Sequence, residues 1–76
     1  MKELLEFLAR ELVDDPDAVQ VTEAGDERGV LLSLTVAPDD MGKVIGRSGR
    51  TARAIRTVVR AAATRKGIGA HVDIVD

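Results

Sequence analysis

The sequence predicts an α+β domain in which helices pack against one three-stranded sheet. Two observations lead to this fold class. Apolar residues recur at helical spacing at the start of the chain and again after residue 40, and they alternate with polar residues in the middle and at the end. These patterns follow one another in the order α-β-β-α-α-β. With 76 residues the chain has the size of a single domain, and we expect residues 1–76 to form it.

The first half of the chain predicts a helix followed by a β-hairpin. Residues 3–13 carry leucines on one side, which is typical of an amphipathic helix, and the Asp-Asp-Pro-Asp segment 14–17 ends it. Residues 18–24 and 30–37 alternate as half-buried strands do. The glycine-bounded segment 25–29 between them predicts a loop of several residues.

The segment after the hairpin predicts a short helix that ends at a glycine-bounded loop. Pro38 cannot continue a strand ladder, and Asp39 or Asp40 is suited to cap a helix over residues 41–45. The loop 46–49, Gly-Arg-Ser-Gly, then interrupts the helical pattern.

A long helix and a last strand complete the prediction. The helix runs from about Arg50 to Lys66, Gly67 is suited to a left-handed stop, and residues 70–75 alternate as a strand. The residues expected to face the core from this helix are Ala52, Ile55, Val58, Val59, Ala62 and Ala63.

The residue types that the chain lacks exclude several classes of protein. It has no cysteine, so disulfides and thiolate metal sites are excluded, and a small secreted domain would usually need such a link. Acids interrupt the apolar pattern at the N-terminus, unlike a signal peptide, and no apolar run approaches the ~18 residues of a membrane span. We therefore expect a cytoplasmic protein with no metal, no cofactor and no membrane association.

Charge is strongly segregated along the chain. The overall net charge is −2, but residues 43–66 hold eight basic residues and no acid, whereas the rest holds three basic residues and all 13 acids. A solvated helix face is one explanation. Arginine or lysine at every charged position of one segment, without a single glutamate, favours an anionic partner instead.

The loop Gly46-Arg47-Ser48-Gly49 has the chemistry of a phosphate clamp. Glycine at both ends lets the backbone turn tightly and approach an anion without a Cβ in the way. We expect loop amides and the first N–H groups of the following helix to point at that anion, aided by the helix dipole. The alternative is a packing corner between helices, but such a corner gains nothing from a cation and a hydroxyl at its exposed tip.

The residues around this loop resemble a known family. The run Gly42-Lys43-Val44-Ile45-Gly46-Arg47-Ser48-Gly49, followed by a helix bearing Ile55, resembles the signature of KH domains. Over almost its whole length the chain is similar to the bacterial KhpA family. The resemblance implies a type II KH fold, α-β-β-α-α-β, whose three-stranded mixed sheet contains one parallel pair. It also implies a general RNA-binding or RNA-chaperone factor that holds about four nucleotides of single-stranded RNA and acts as a homodimer or with a second KH-domain protein.

The resemblance assigns roles to individual residues. The sugar-phosphate backbone would be held by Gly46, Arg47, Ser48 and Gly49. The flanking cations would be Lys43, Arg50 and Arg53. The aliphatic groove under the bases would be lined by Ile45, with Val36 and Val44 as further groove residues. Ala52 is smaller than the aliphatic residue that many KH domains carry at this position, so no base preference is inferred.

The long helix carries a second pattern on the side opposite its expected core face. This small-residue ridge consists of Ala54, Thr57, Ala61 and Thr64. Small side chains allow two backbones to approach closely, so the ridge is a candidate dimer face. The alternative is that small residues are simply tolerated on an exposed surface.

Two other functions compete with RNA binding. An enzyme needs a poised acid, base or nucleophile, and neither Ser48 nor His71 has a partner that the sequence identifies. We therefore expect no catalysis and no small-molecule substrate. A protein-interaction or assembly module that keeps the KH fold, with RNA binding secondary, is the serious alternative.

Overall fold

The computed structural model describes residues 1–75, which form three helices and three strands. In chain order these are α1 (Lys2–Leu12), β1 (Gln20–Asp26), β2 (Gly29–Thr35), α2 (Met41–Ile45), α3 (Arg50–Arg65) and β3 (Gly69–Ile74). Short 3₁₀ turns lie at Pro16–Ala18, Pro38–Asp40 and Arg47–Gly49. The order α-β-β-α-α-β and the α+β class are as predicted. No helix within residues 1–75 has the length and apolar character needed to span a membrane.

The sheet is mixed, as expected. Its strands lie in the order β1-β2-β3, with β1 antiparallel to β2 and β2 parallel to β3. A parallel pair needs a long crossover between its strands, and α2 and α3 supply it. The loop between these two helices therefore lies within the crossover.

The hairpin between β1 and β2 is tighter than predicted. The strands continue to Asp26 and Gly29, which are paired, so only Glu27 and Arg28 form the turn. The expectation of a loop of several residues was wrong because Gly25 takes part in the ladder. A Cβ on Gly25 would collide with the carbonyl oxygen of Gly29 and lie 2.8 Å from the Cα of Val30, so this close pairing requires glycine.

One aliphatic core lies between the sheet and the helices. Its largest fully buried side chains are Leu5, Leu32, Leu34, Val44 and Val59. Helix α3 buries a narrower stripe than the sequence suggested, made of Ala52, Ile55, Val59 and Ala63. The prediction that Val58 faces the core was wrong, since its side chain is 44% exposed.

The end of α3 is a Schellman motif, which confirms the stop predicted at Gly67. Gly67 has φ +76°. Its amide donates to the carbonyl of Thr64 at 3.0 Å, and the amide of Ile68 donates to the carbonyl of Ala63 at 3.0 Å. This stop redirects the chain into β3.

Asp40 connects the start of α2 to the segment after α1. It occupies the N-cap position of α2, but its side chain makes no capping bond there, so the expected role was wrong. Its carboxylate instead accepts hydrogen bonds from the amides of Asp14 at 3.3 Å and Asp15 at 3.1 Å. Only 2% of Asp40 is exposed, and its buried carboxylate is satisfied by two backbone donors of the partly buried segment after α1.

Candidate nucleic-acid interface

The loop between α2 and α3 has an unusual backbone. Three of its four residues have positive φ: Gly46 (+74°), Ser48 (+56°) and Gly49 (+74°). Ser48 is the one non-glycine residue with positive φ among residues 1–75. Side chains other than glycine adopt this region at a cost, and such residues concentrate at binding sites.

The two glycines of the loop meet different requirements. A Cβ on Gly46 would lie 2.8 Å from the Cβ and 3.0 Å from the backbone nitrogen of Thr51, so the loop is pressed against the first turn of α3. A Cβ on Gly49 would meet no atom within 4 Å. Gly46 is therefore required by both space and conformation, and Gly49 by conformation alone.

This difference predicts unequal effects of alanine at the two glycines. Gly49→Ala is expected to lower the free energy of unfolding by about 1 kcal/mol, the cost of a left-handed L residue. Gly46→Ala adds crowding against Thr51 and is expected to lower it by about 2 kcal/mol. Urea denaturation of both variants measures the difference, and equal losses would show that Thr51 does not crowd the loop.

Backbone hydrogen bonds close the loop into a turn. The amide of Gly49 donates to the carbonyl of Gly46 at 3.2 Å, and the amide of Arg50 donates to the carbonyl of Arg47. We expected the loop amides and the first amides of α3 to point at an anion. For the amides of Gly49 and Arg50 this expectation is wrong, because both are already hydrogen bonded within the turn. The exposed side chains of Arg47 and Ser48 remain at the tip.

Three exposed arginines surround this tip. Arg47, Arg50 and Arg53 lie on the loop and the first turn of α3, and none forms an ion pair with another residue in the described chain. Arg53 donates a hydrogen bond from Nη2 to the carbonyl oxygen of Ser48 at 3.0 Å. The structure thus brings together the predicted cations that follow the loop.

Lys43 is placed differently from the arginines. Its Nζ lies 3.1 Å from Oδ2 of Asp14 and 3.7 Å from Oδ1 of Asp40. The hydrogen bond and negative charge of Asp14 raise the pKa of Lys43 above its usual value. Its charge is therefore shared with two carboxylates, unlike the charges of the three arginines.

The predicted groove residues lie at different depths. Ile45 is 37% exposed next to the loop, whereas Val44 is fully buried and Val36 nearly so. Only Ile45 presents substantial apolar surface. Val44 and Val36 belong to the core cluster, so the expectation that they line an open groove was wrong.

A second surface lies on the other side of α3. All four members of the small-residue ridge are exposed, and Thr57 Oγ1 donates to the carbonyl of Arg53 at 2.9 Å. Beside the ridge, an apolar groove of about 280 Å³ runs between α1 and α3. Its most exposed apolar side chains are Phe7, Leu12 and Val58. Sequence reasoning missed Phe7, although it is the only aromatic residue and lies outside the leucine stripe of α1.

Comparisons with known proteins agree on one family. The family model described as "KhpA/KhpB, KH domain" matches residues 2–74. The RNA-binding protein KhpA of Clostridium acetobutylicum is 55% identical over 75 residues, which cover 99% of this chain and 100% of that protein. The RNA-binding protein KhpA of Streptomyces coelicolor is 54% identical, over 100% of this chain and 92% of that protein.

A solved structure shares the fold. The crystal structure of Era in complex with MgGDPNP and nucleotides 1506–1542 of 16S ribosomal RNA aligns with a TM-score of 0.70 at 14% identity. The alignment covers 96% of this chain but only 28% of that one. At this identity the likeness shows the fold alone.

Proposed function

The chain belongs to the KhpA/KhpB family of KH domains, and we propose that it binds single-stranded RNA through the loop Gly46-Arg47-Ser48-Gly49. One observation carries the proposal. A turn with three positive φ angles presents Arg47 and Ser48 at its exposed tip, beside Arg50 and Arg53. The relatives named as RNA-binding proteins support the choice of RNA as the anion.

The chemistry of the site favours the RNA backbone over the bases. Arg47 offers a guanidinium fork and Ser48 a hydroxyl donor to phosphate oxygens, and Arg50 flanks them. Ile45 offers an apolar wall to bases. The only aromatic side chain, Phe7, lies on α1, so the loop has no ring on which bases could stack. We therefore expect limited sequence selectivity.

Salt dependence tests the proposed mode of binding. Each phosphate contact to a single strand contributes a slope of about −0.7 to log K against log salt. Contacts from Arg47 and Arg50 predict that affinity falls about sevenfold from 50 to 200 mM salt. Fluorescence anisotropy with a labelled oligouridylate measures this. An affinity that does not change with salt concentration, or the absence of binding, would contradict contacts to the RNA backbone.

The apolar groove supports a second role, association with another KH domain. Phe7 is 60% exposed and Val58 44%, and both line an apolar groove that includes Ala54 of the small-residue ridge. We propose that this face joins two copies of the chain or this chain and a second KH-domain protein. One loop holds few nucleotides, and linking two loops would raise avidity. This assembly would act in the cytoplasm as a general RNA-binding or chaperone factor.

Ala61→Glu tests the proposed interface. A carboxylate on the ridge would have to be buried between the partners, so the assembly is expected to dissociate to monomers. Glu27→Ala in the β1–β2 turn, outside the ridge and the apolar groove, serves as a control. Native mass spectrometry or light scattering reads the result. If the parent protein and both variants have the same mass, the interface is absent.

An assembly role in which RNA binding is secondary is the remaining alternative. It is favoured by the same apolar groove, which has no evident use in binding phosphate. In that case Ala61→Glu would abolish function, while changes at Arg47 and Ser48 would leave it intact.

A further inference from the structure

The carbonyl of Ser48 is held by an arginine of the following helix. Ser48 has φ +56°, a conformation that serine seldom adopts. Its neighbour Gly49 also has positive φ, but glycine adopts it at little cost. Some interaction must therefore favour the conformation of Ser48. Its carbonyl oxygen accepts a hydrogen bond from Nη2 of Arg53 at 3.0 Å.

Arg53 differs in this respect from Arg47 and Arg50, the other two arginines beside the tip of the loop. Arg47, Arg50 and Arg53 are all exposed, and only Arg53 makes a side-chain hydrogen bond within the described residues. A charged donor on a carbonyl forms one of the stronger hydrogen bonds in proteins. The backbone of α3 at Arg53 is anchored to the core, because its neighbour Ala52 and the nearby Ile55 are buried there.

We propose that Arg53 is a positioning residue, which holds the loop in its RNA-binding shape through the carbonyl of Ser48. This inference rests on the proposed function and deepens it. Ordering a loop when a ligand binds weakens affinity, so a loop that is already ordered binds more tightly. Arg47 and Arg50 contact phosphate, and Arg53 keeps Ser48 and Arg47 where they can do so.

Matched variants separate the two roles. Arg50→Met and Arg53→Met each remove one positive charge from the same turn of α3, and methionine has nearly the helix propensity of arginine. Both are expected to weaken binding of a fluorescein-labelled oligouridylate about fivefold. Arg50→Met is expected to reduce the salt slope by about 0.7, because it removes a phosphate contact. Arg53→Met is expected to leave the slope unchanged. An equal loss of slope in both variants would overturn the proposal.

A double-mutant cycle tests whether the effect passes through Ser48. Asparagine adopts positive φ more readily than serine does. Arg53→Met is therefore expected to cost less affinity in the Ser48→Asn background than in the parent protein. Equal costs in the two backgrounds would show that Arg53 does not act through the conformation of residue 48.

Hydrogen exchange tests the loop without RNA. The amide of Gly49 closes the turn onto Gly46, so its exchange rate reports opening of the loop. Arg53→Met is expected to speed that exchange about fivefold, and Arg50→Met to leave it unchanged. Equal rates in the two variants would overturn the proposal. If the exchange responds as expected but the parent protein binds no RNA, the proposed function fails and the structural role of Arg53 stands.

Discussion

Replacement of Arg47 and Ser48 together by aspartate is expected to abolish RNA binding and to leave the fold intact. The two substitutions remove one positive charge and add two negative ones at the exposed tip of the loop, where they repel phosphate. Aspartate is among the residues that tolerate positive φ, so position 48 keeps its conformation. We expect thermal stability to change by less than about 0.5 kcal/mol.

A control variant separates the loop from the overall charge of the protein. Arg28→Asp with Thr22→Asp makes the same change in net charge on exposed residues of the hairpin. Electrophoretic mobility shift with single-stranded RNA is expected to show nearly normal binding for this control and none for the loop variant. Equal losses in both would mean that net charge, and not the loop, governs binding.

Asp40→Ala is expected to have the largest effect on stability. The change leaves the partly buried amides of Asp14 and Asp15 without their acceptor and removes one partner of Lys43. Unsatisfied buried donors cost about 1–3 kcal/mol each, so we expect a loss of about 3 kcal/mol after partial rehydration. That is a large part of the stability of a domain of this size.

Asp39→Ala is the matched control for this prediction. Asp39 is the preceding residue, is exposed, and makes no side-chain hydrogen bond or ion pair with another described residue. Its replacement is expected to change the free energy of unfolding by less than about 0.5 kcal/mol. Urea denaturation compares the two variants. Similar losses would show that Asp40 does not connect α1 to α2.

Local patterns predicted the fold well because each element carries its own periodicity. The end of α3 could also be predicted from a local signal, since one glycine with positive φ, Gly67, ends the helix. The errors arose where distant residues decide the outcome. Asp40 is a residue type that often caps helices, but the amides it binds belong to Asp14 and Asp15, which are 26 and 25 residues away in the chain. Val58 fits the apolar side of α3, yet the stripe that reaches the core is too narrow to bury it.

The sequence predicted the loop of the candidate site, but it did not predict the contacts of the charged residues around that loop. The motif identified Gly46 and Gly49 directly, because glycine at both ends is a local requirement of the turn. It could not show that Lys43 is paired with Asp14, since that partner comes from the segment after α1. Nor could it show the bond from Arg53 to Ser48, which depends on the left-handed conformation of a serine.

A titration of ¹⁵N-labelled protein with single-stranded RNA, followed by NMR, tests the central claim most directly. The amide signals of residues 45–53 are expected to shift progressively to saturation, while those of the β1–β2 turn stay in place. Shifts confined to another surface with residues 46–49 unmoved, or no shift at all, would contradict the assignment of the loop as the RNA-binding site.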